Sequence, residues 1–171
     1  MFIKTVLKKL LAPIRWASSI YFNFRYLPFK QAIKLPIFLR KPRFLRLKGK
    51  IIIDCPKEQI KFMMIRLGSR SPEEPDLGIR LSIYGTIIFK GNCCIGCNSC
   101  LNVGEKGILI FGNNFGNSQG LVLNCFHRIE FKENVLVGFG TLIMDSDMHA
   151  MQKVAATSGG GCPRITVFEW G

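Results

Sequence analysis

An all-β fold, a triangular prism of short parallel strands preceded by a basic, partly helical segment, is the architecture this sequence predicts. Two observations predict the prism: similar phrases return about every 20 residues, and within them aliphatic residues return every six. A third sets the front segment apart, because the positive charge lies almost wholly ahead of those phrases.

The front segment is read as residues 1–48. Residues 1–70 hold 17 Lys or Arg against 2 acids, and residues 71–171 hold 7 against 9, so the net +13 originates in the first part of the chain. In "MFIKTVLKKLLAPIRWASSIYF" (1–22), Phe2, Val6, Leu10 and Ile14 stand at helical spacing, Lys4, Lys8, Lys9 and Arg15 lie largely off that line, and Pro13 kinks or ends the helix. Two roles use this pattern equally well: a helix lying on an anionic membrane surface, and a helix packed across the end of the prism. Phe24, Tyr26, Phe29, Phe38 and Phe44 interleave with Arg and Lys, but no nucleic-acid motif accompanies them, so nucleic acid is not expected as a partner.

The body is read as residues 49–150. "FKGNCCIGCNS" (89–99) and "FKENVLVGFGT" (131–141) match at Phe, Lys, Asn, an aliphatic residue, Gly and a hydroxyl residue, with "FGNNFGNS" (111–118) between them. Gly116 lies 20 residues after Gly96 and 22 before Gly138, and "GTIIF", "GILIF" and "HRIEF" lead into the copies as strands. The finer period pairs Ile95 and Leu101 with small residues two places earlier, Cys93 and Ser99. Aliphatic side chains then fill the axis, small ones fit near the corners, and Gly or Asn supplies the turn conformations between faces.

The same stretch, "NCCIGCNSCLN", imitates an iron–sulfur loop, with Cys94, Cys97 and Cys100 three apart. The bacterial spacing needs a fourth thiolate where Gly104 stands, and a zinc site needs two independent ligand pairs where these cysteines share one residue. On the prism, Cys93 takes a small-residue slot while Cys94 and Cys100 face outward from different faces, so no metal is expected. Seven cysteines, an odd number, fit reduced thiols in a cytosolic protein. The chain has no run of 18 uncharged apolar residues and no cleavage site behind a long apolar stretch, so neither a spanning helix nor a secretory signal is expected.

Chemistry needs a group that titrates near neutrality, and only His127 and His149 do so unperturbed. His149 closes "MDSDMH" where the aliphatic alternation of Leu142, Ile143 and Met144 stops. Asp145 or Asp147 could hold one ring nitrogen and leave the other free to act as base. Two other readings stay open: alternation sets Asp145, Asp147 and His149 on one side as a metal site, or the aspartates cap a turn. His127 precedes a strand and reads as a solvated loop residue.

From "FNFRYLPFKQAIKLPIFLRKPRFLRLKGKIIID" through the repeats to "LIMDSDMH", the chain resembles the hexapeptide-repeat acyltransferases, in particular the branch that acetylates sugars for cell-surface polysaccharides. The resemblance implies a left-handed parallel β-helix, acetyl-CoA as acyl donor, a sugar acceptor, a homotrimer and no metal. It carries the catalytic base onto His149, with Asp147 or Asp145 beside it. Members of this branch place an Asn about one coil earlier, near the reacting hydroxyl. Gly120 stands there, and Asn117 and Asn124 are the nearest substrate-binding candidates.

Residues 151–171 form the tail, in which Pro163, Ile165, Val167 and Trp170 echo a Pro-Ile-x-Ile-Gly and Trp phrase that further coils follow in the family. The chain is accordingly expected to be a fragment or a degenerate copy. The expectation is therefore a cytoplasmic O-acetyltransferase, peripheral at the inner face of the membrane through its N-terminal segment. The alternatives are a non-catalytic β-helix remnant that binds partners, and an electron carrier.

Overall fold

The computed structural model describes residues 16–70 and 75–146. Four complete coils and part of a fifth follow one another along the chain. The first holds β1 (Ile37–Leu39), β2 (Pro42–Leu47) and β3 (Lys50–Ile53), and the second β4 (Ile65–Ser69), β5 (Ile79–Ile83) and β6 (Thr86–Phe89). The third holds β7 (Cys93–Gly96), β8 (Ser99–Val103) and β9 (Ile108–Phe111), and the fourth β10 (Phe115–Asn117), β11 (Val122–Cys125) and β12 (Arg128–Phe131). The fifth contributes β13 (Leu136–Val137) and β14 (Leu142–Met144). Each complete coil gives one strand to each of three parallel sheets, ordered β1-β4-β7-β10-β13, β2-β5-β8-β11-β14 and β3-β6-β9-β12. This is the arrangement of a parallel β-helix.

Alternation along each strand decides what is buried, because successive side chains point to opposite faces. Equivalent inward residues stack from coil to coil: Leu81 on Leu101 on Leu123 in the second sheet, and Ile51 on Ile87 on Leu109 on Ile129 in the third. The firmest column is aromatic. Phe89, Phe111 and Phe131 are in register, with ring centroids 5.3 and 5.5 Å apart and nearly parallel planes. Burying one such ring stabilises the fold by roughly 1.5–3 kcal/mol.

Corners require conformations that most side chains avoid. Asn98, Asn114 and Asn134 adopt φ of 63°, 62° and 58° there, in the left-handed region that Asn tolerates best after Gly. Asn114 Nδ2 also donates to Asn134 Oδ1 in the next coil at 3.0 Å. At another corner a Cβ on Gly85 would run into the Gly107 carbonyl, so this position of the second coil excludes a side chain.

Register departs from the expectation in the middle copy. Gly116 pairs with Cys94 and with Leu136, not with Gly96 and Gly138. The phenylalanine column sets this alignment, and a shift of two residues leaves every side chain on its expected face, which is why the sequence pattern tolerates both.

The coils also begin earlier than residue 49, since β1 and β2 already belong to the prism. The lengths of chain between β3 and β4 and between β4 and β5 break the 20-residue period, and β2 carries a bulge between Phe44 and Arg46. With Arg43 and Arg46 facing solvent, the segment reads as charged leader rather than strand.

Helix α1 (16–26) and the single turn α2 (Phe29–Ala32) precede the strands. α1 lies across the start of the prism, with Phe22 fully buried and stacked on Phe44 at 5.8 Å. Ser19 and Asn23, four residues apart on one helix face, bond to the free edge of β1. The inner side of the described helix therefore performs the packing role. No described helix is long and apolar enough to cross a membrane.

Candidate functional site

The corner between the second and third sheets is where the chain leaves the last described strand. In the first two coils, the two amides entering this corner share a carbonyl of the following coil, and in the third only Gly104 donates to the next coil, to the Cys125 carbonyl at 2.8 Å. Lys48 and Gly49 donate to the Ile83 carbonyl at 2.9 and 2.8 Å, and Tyr84 and Gly85 to that of Val103 at 2.9 and 3.4 Å. In the fourth coil the equivalent amides, Phe126 and His127, donate instead to a side chain. Asp145 Oδ1 accepts from Phe126 at 2.7 Å and Oδ2 accepts from His127 at 2.8 Å.

Asp145 reaches these amides because of its place in the stack. Leu47, Ile83, Val103 and Cys125 are aligned in register, and Asp145, following Met144 opposite Asn124, takes the next place. A carboxylate there supplies two charge-assisted bonds at the short distances such bonds favour. Beneath it, burial pushes the Cys125 thiol up to about 12, and the charge of Asp145 adds to the shift. Each Asp145 oxygen accepts one backbone amide, so among the described residues Asp145 caps the turn, the reading left open beside its pairing with His149.

Asp147 and His149 lie outside the described residues, as do residues 151–171. His127 is exposed beside Arg128 at the start of β12, where the sequence placed it.

The two candidate asparagines are not brought together. Asn117 points into the prism from the first sheet, between Ile95 and Val137 in register, and is only 6% exposed. Its Oδ1 accepts from the Gly96 amide at 2.9 Å, with the Ser99 hydroxyl 3.5 Å away, while its Nδ2 is buried without a partner. Ser99 in turn accepts from the Leu121 amide at 3.1 Å, and Cys97 Sγ lies 3.4 Å from Gln119 Oε1. Asn117 thus belongs to a buried polar cluster at the corner between the first and second sheets, out of reach of a sugar. Asn124 faces outward from the second sheet, half-buried, where its Oδ1 accepts from Asn102 Nδ2 at 3.3 Å.

Cysteine positions follow the alternation. Cys93, Cys97 and Cys125 are buried, while Cys94 and Cys100 are half-buried on the first and second sheets respectively. Among the described residues no three His, Cys, Asp or Glu side chains converge to hold a metal.

Sequence reading missed the Phe126 and His127 amides as partners and the Asn102–Asn124 pair. The available signal was columnar: Asp145 falls where each earlier coil has an inward-facing apolar residue.

Comparison with known proteins found no matching family model, no matching curated protein and no matching solved structure.

Proposed function

We propose that this chain is an O-acetyltransferase on a left-handed parallel β-helix, moving an acetyl group from acetyl-CoA to a sugar hydroxyl in cell-surface polysaccharide or lipopolysaccharide synthesis in the cytoplasm. The observation that carries this reading is the parallel prism whose last described strand ends in the Asp145 clamp, immediately ahead of the rest of the D-S-D-x-H phrase. Anchoring the chain there gives the phrase a rigid base.

In this reading His149 is the general base and Asp147 holds its second ring nitrogen. The imidazole takes the proton of the sugar hydroxyl as that oxygen attacks the thioester carbonyl carbon. The C–S bond breaks, and the coenzyme thiolate leaves with the proton that His149 returns. Asn124, facing outward, is the better placed of the two asparagines to meet an acceptor. Leu136, Phe139 and Leu142, exposed on the fifth coil, would find cover against a neighbouring subunit of a homotrimer.

A second reading, a non-catalytic β-helix that binds partners, is favoured by the commitment of Asp145 to backbone and of Asn117 to the interior. Incubation with acetyl-CoA and a panel of nucleotide sugars and oligosaccharides, following release of coenzyme thiol, separates the two. Turnover is expected, with His149→Ala lowering it about 10²- to 10⁴-fold at nearly unchanged acetyl-CoA binding. Absence of both turnover and acetyl-CoA binding would establish the second reading, and full activity in His149→Ala would remove the base assignment.

A further inference from the structure

Helix α1 is apolar on two sides, and the prism accounts for only one. Ser19, Phe22, Asn23 and Leu27 are buried against it. On the opposite side Ile20 and Phe24, four residues apart, form an exposed stripe, which α2 continues with Phe29 and Ile33, also four apart and 70% and 62% exposed. The rings of Phe24 and Phe29 are 5.9 Å apart, so the two stripes make one continuous patch. A patch of this kind on a folded chain marks a surface that something covers.

Cations accompany it at the same spacing. Arg25 runs beside Phe24, and Lys30 and Lys34, four apart, beside Phe29 and Ile33. Residues 25–28, which link the two stripes, form one wall of a cavity of about 420 Å³ whose other wall is β3. Arg25 and Lys50 line it together with Leu27, Pro28, Gln31 and Ile52, and no acid is among the lining residues. None of Arg25, Lys30, Lys34 or Lys50 has an ion pair among the described residues. The first acid in the chain is Asp54.

We propose that the outer face of α1 and α2 docks on an anionic phospholipid bilayer, seating Ile20, Phe24, Phe29 and Ile33 at the acyl boundary and Arg25, Lys30, Lys34 and Lys50 among the headgroups. Arg25 and Lys34 donate to the backbone carbonyls of Leu47 and Lys57, at 2.8 and 3.0 Å, and an apolar stripe flanked by cations without a carboxylate partner, with aromatic rings at its centre, is what an interfacial helix presents to such a surface. Charge complementarity selects this occupant over a second copy, because an isologous dimer would gather the cations of both copies against each other. The surface is separate from the proposed catalytic end of the prism, and the docking does not depend on acetyl transfer.

Vesicle co-sedimentation of the full chain tests it, comparing phosphatidylcholine alone with a phosphatidylglycerol mixture. Wild type should bind the anionic vesicles at least tenfold more tightly. Phe29→Glu combined with Ile33→Glu should lower that binding at least tenfold with an unchanged urea midpoint. Lys30→Gln and Lys34→Gln should each lower it about fivefold. Equal binding to neutral vesicles, or full binding by the Phe29→Glu/Ile33→Glu variant, would overturn the proposal. So would displacement by inorganic phosphate at constant ionic strength, which would show a free-anion site. A wild-type dimer that the same double variant makes monomeric would show that a second copy covers the face.

Discussion

Asn23 bonds to Ile37 as a neighbouring strand would: its Oδ1 accepts from the Ile37 amide at 3.1 Å, and its Nδ2 donates to the Ile37 carbonyl at 2.7 Å. Ser19 treats Leu39 in the same way, its hydroxyl accepting from the amide at 2.9 Å and lying 3.4 Å from the carbonyl. Geometry makes the match available. Four residues along a helix advance about 6.0 Å and two along a strand about 6.6 Å, so side chains at i and i+4 reach strand residues at j and j+2. The helix therefore closes the first edge of the prism without a strand of its own, which keeps that edge from templating other chains.

Removing this mimicry should be costly. Asn23→Leu leaves a buried amide and carbonyl of Ile37 unpaired, and at about 1–3 kcal/mol for each group the loss should be about 2–6 kcal/mol. Urea unfolding followed by circular dichroism would measure it. Ser19→Ala should cost less, and a wild-type midpoint for Asn23→Leu would show that the helix does not cap β1.

The Asp145 clamp makes a different demand. Asp145→Ala should free the Phe126 and His127 amides and destabilise the chain by about 1–3 kcal/mol, while Asp145→Asn, which keeps one acceptor, should fall between. If Asp145 acted through His149 instead, both variants would lose turnover at unchanged stability. Unfolding midpoints and thiol-release rates on the same samples separate the two outcomes.

The aromatic column tests the register. Phe111 stands between Phe89 and Phe131, so Phe111→Ala should cost about 3–5 kcal/mol. Cys93, stacked between Ile65 and Phe115, is the small-slot counterpart: Cys93→Leu should overpack and cost about 1–3 kcal/mol. Cys94→Ser and Cys100→Ser, on outward positions, should leave the midpoint within about 0.5 kcal/mol.

Acid should weaken one corner in particular. Burial works against ionisation of Asp76, yet hydrogen bonds and charge from Arg40 and Lys41 outweigh it and hold the carboxyl below its ordinary 3.8. A carboxyl depressed in the folded state contributes stability that is present above pH 3.8 and lost as pH falls through the lower folded value. Asp76→Asn should therefore be less stable than wild type at neutral pH, and the gap should narrow below pH 3.8. A gap independent of pH would show that the ion pairs contribute nothing.

Within the candidate site, legibility followed the range of the interactions. His127 in a solvated position and Cys93 in a small slot were readable, because each depends on its own strand's alternation. Asn117 was not readable as an inward residue, since an amide at a core position makes sense only once Gly96 and Ser99 are seen to surround it. Asp145 looked like a catalytic carboxylate because nothing local shows that two amides of the preceding coil need an acceptor.

By itself, the sequence determined the all-β prism, the alternation that assigns inward and outward aliphatic residues along its strands, and the Gly and Asn corners. These are local properties, set by side-chain period and by the φ that Asn tolerates. Only the tertiary structure decided that the coils reach back to Ile37, that Gly116 lies beside Cys94, that Ser19 and Asn23 finish the edge of β1, and that Asp145 caps the last corner. Each of those depends on backbone groups some 14 to 28 residues away, paired through space, and a backbone amide in want of a partner leaves no mark on the letters that carry it.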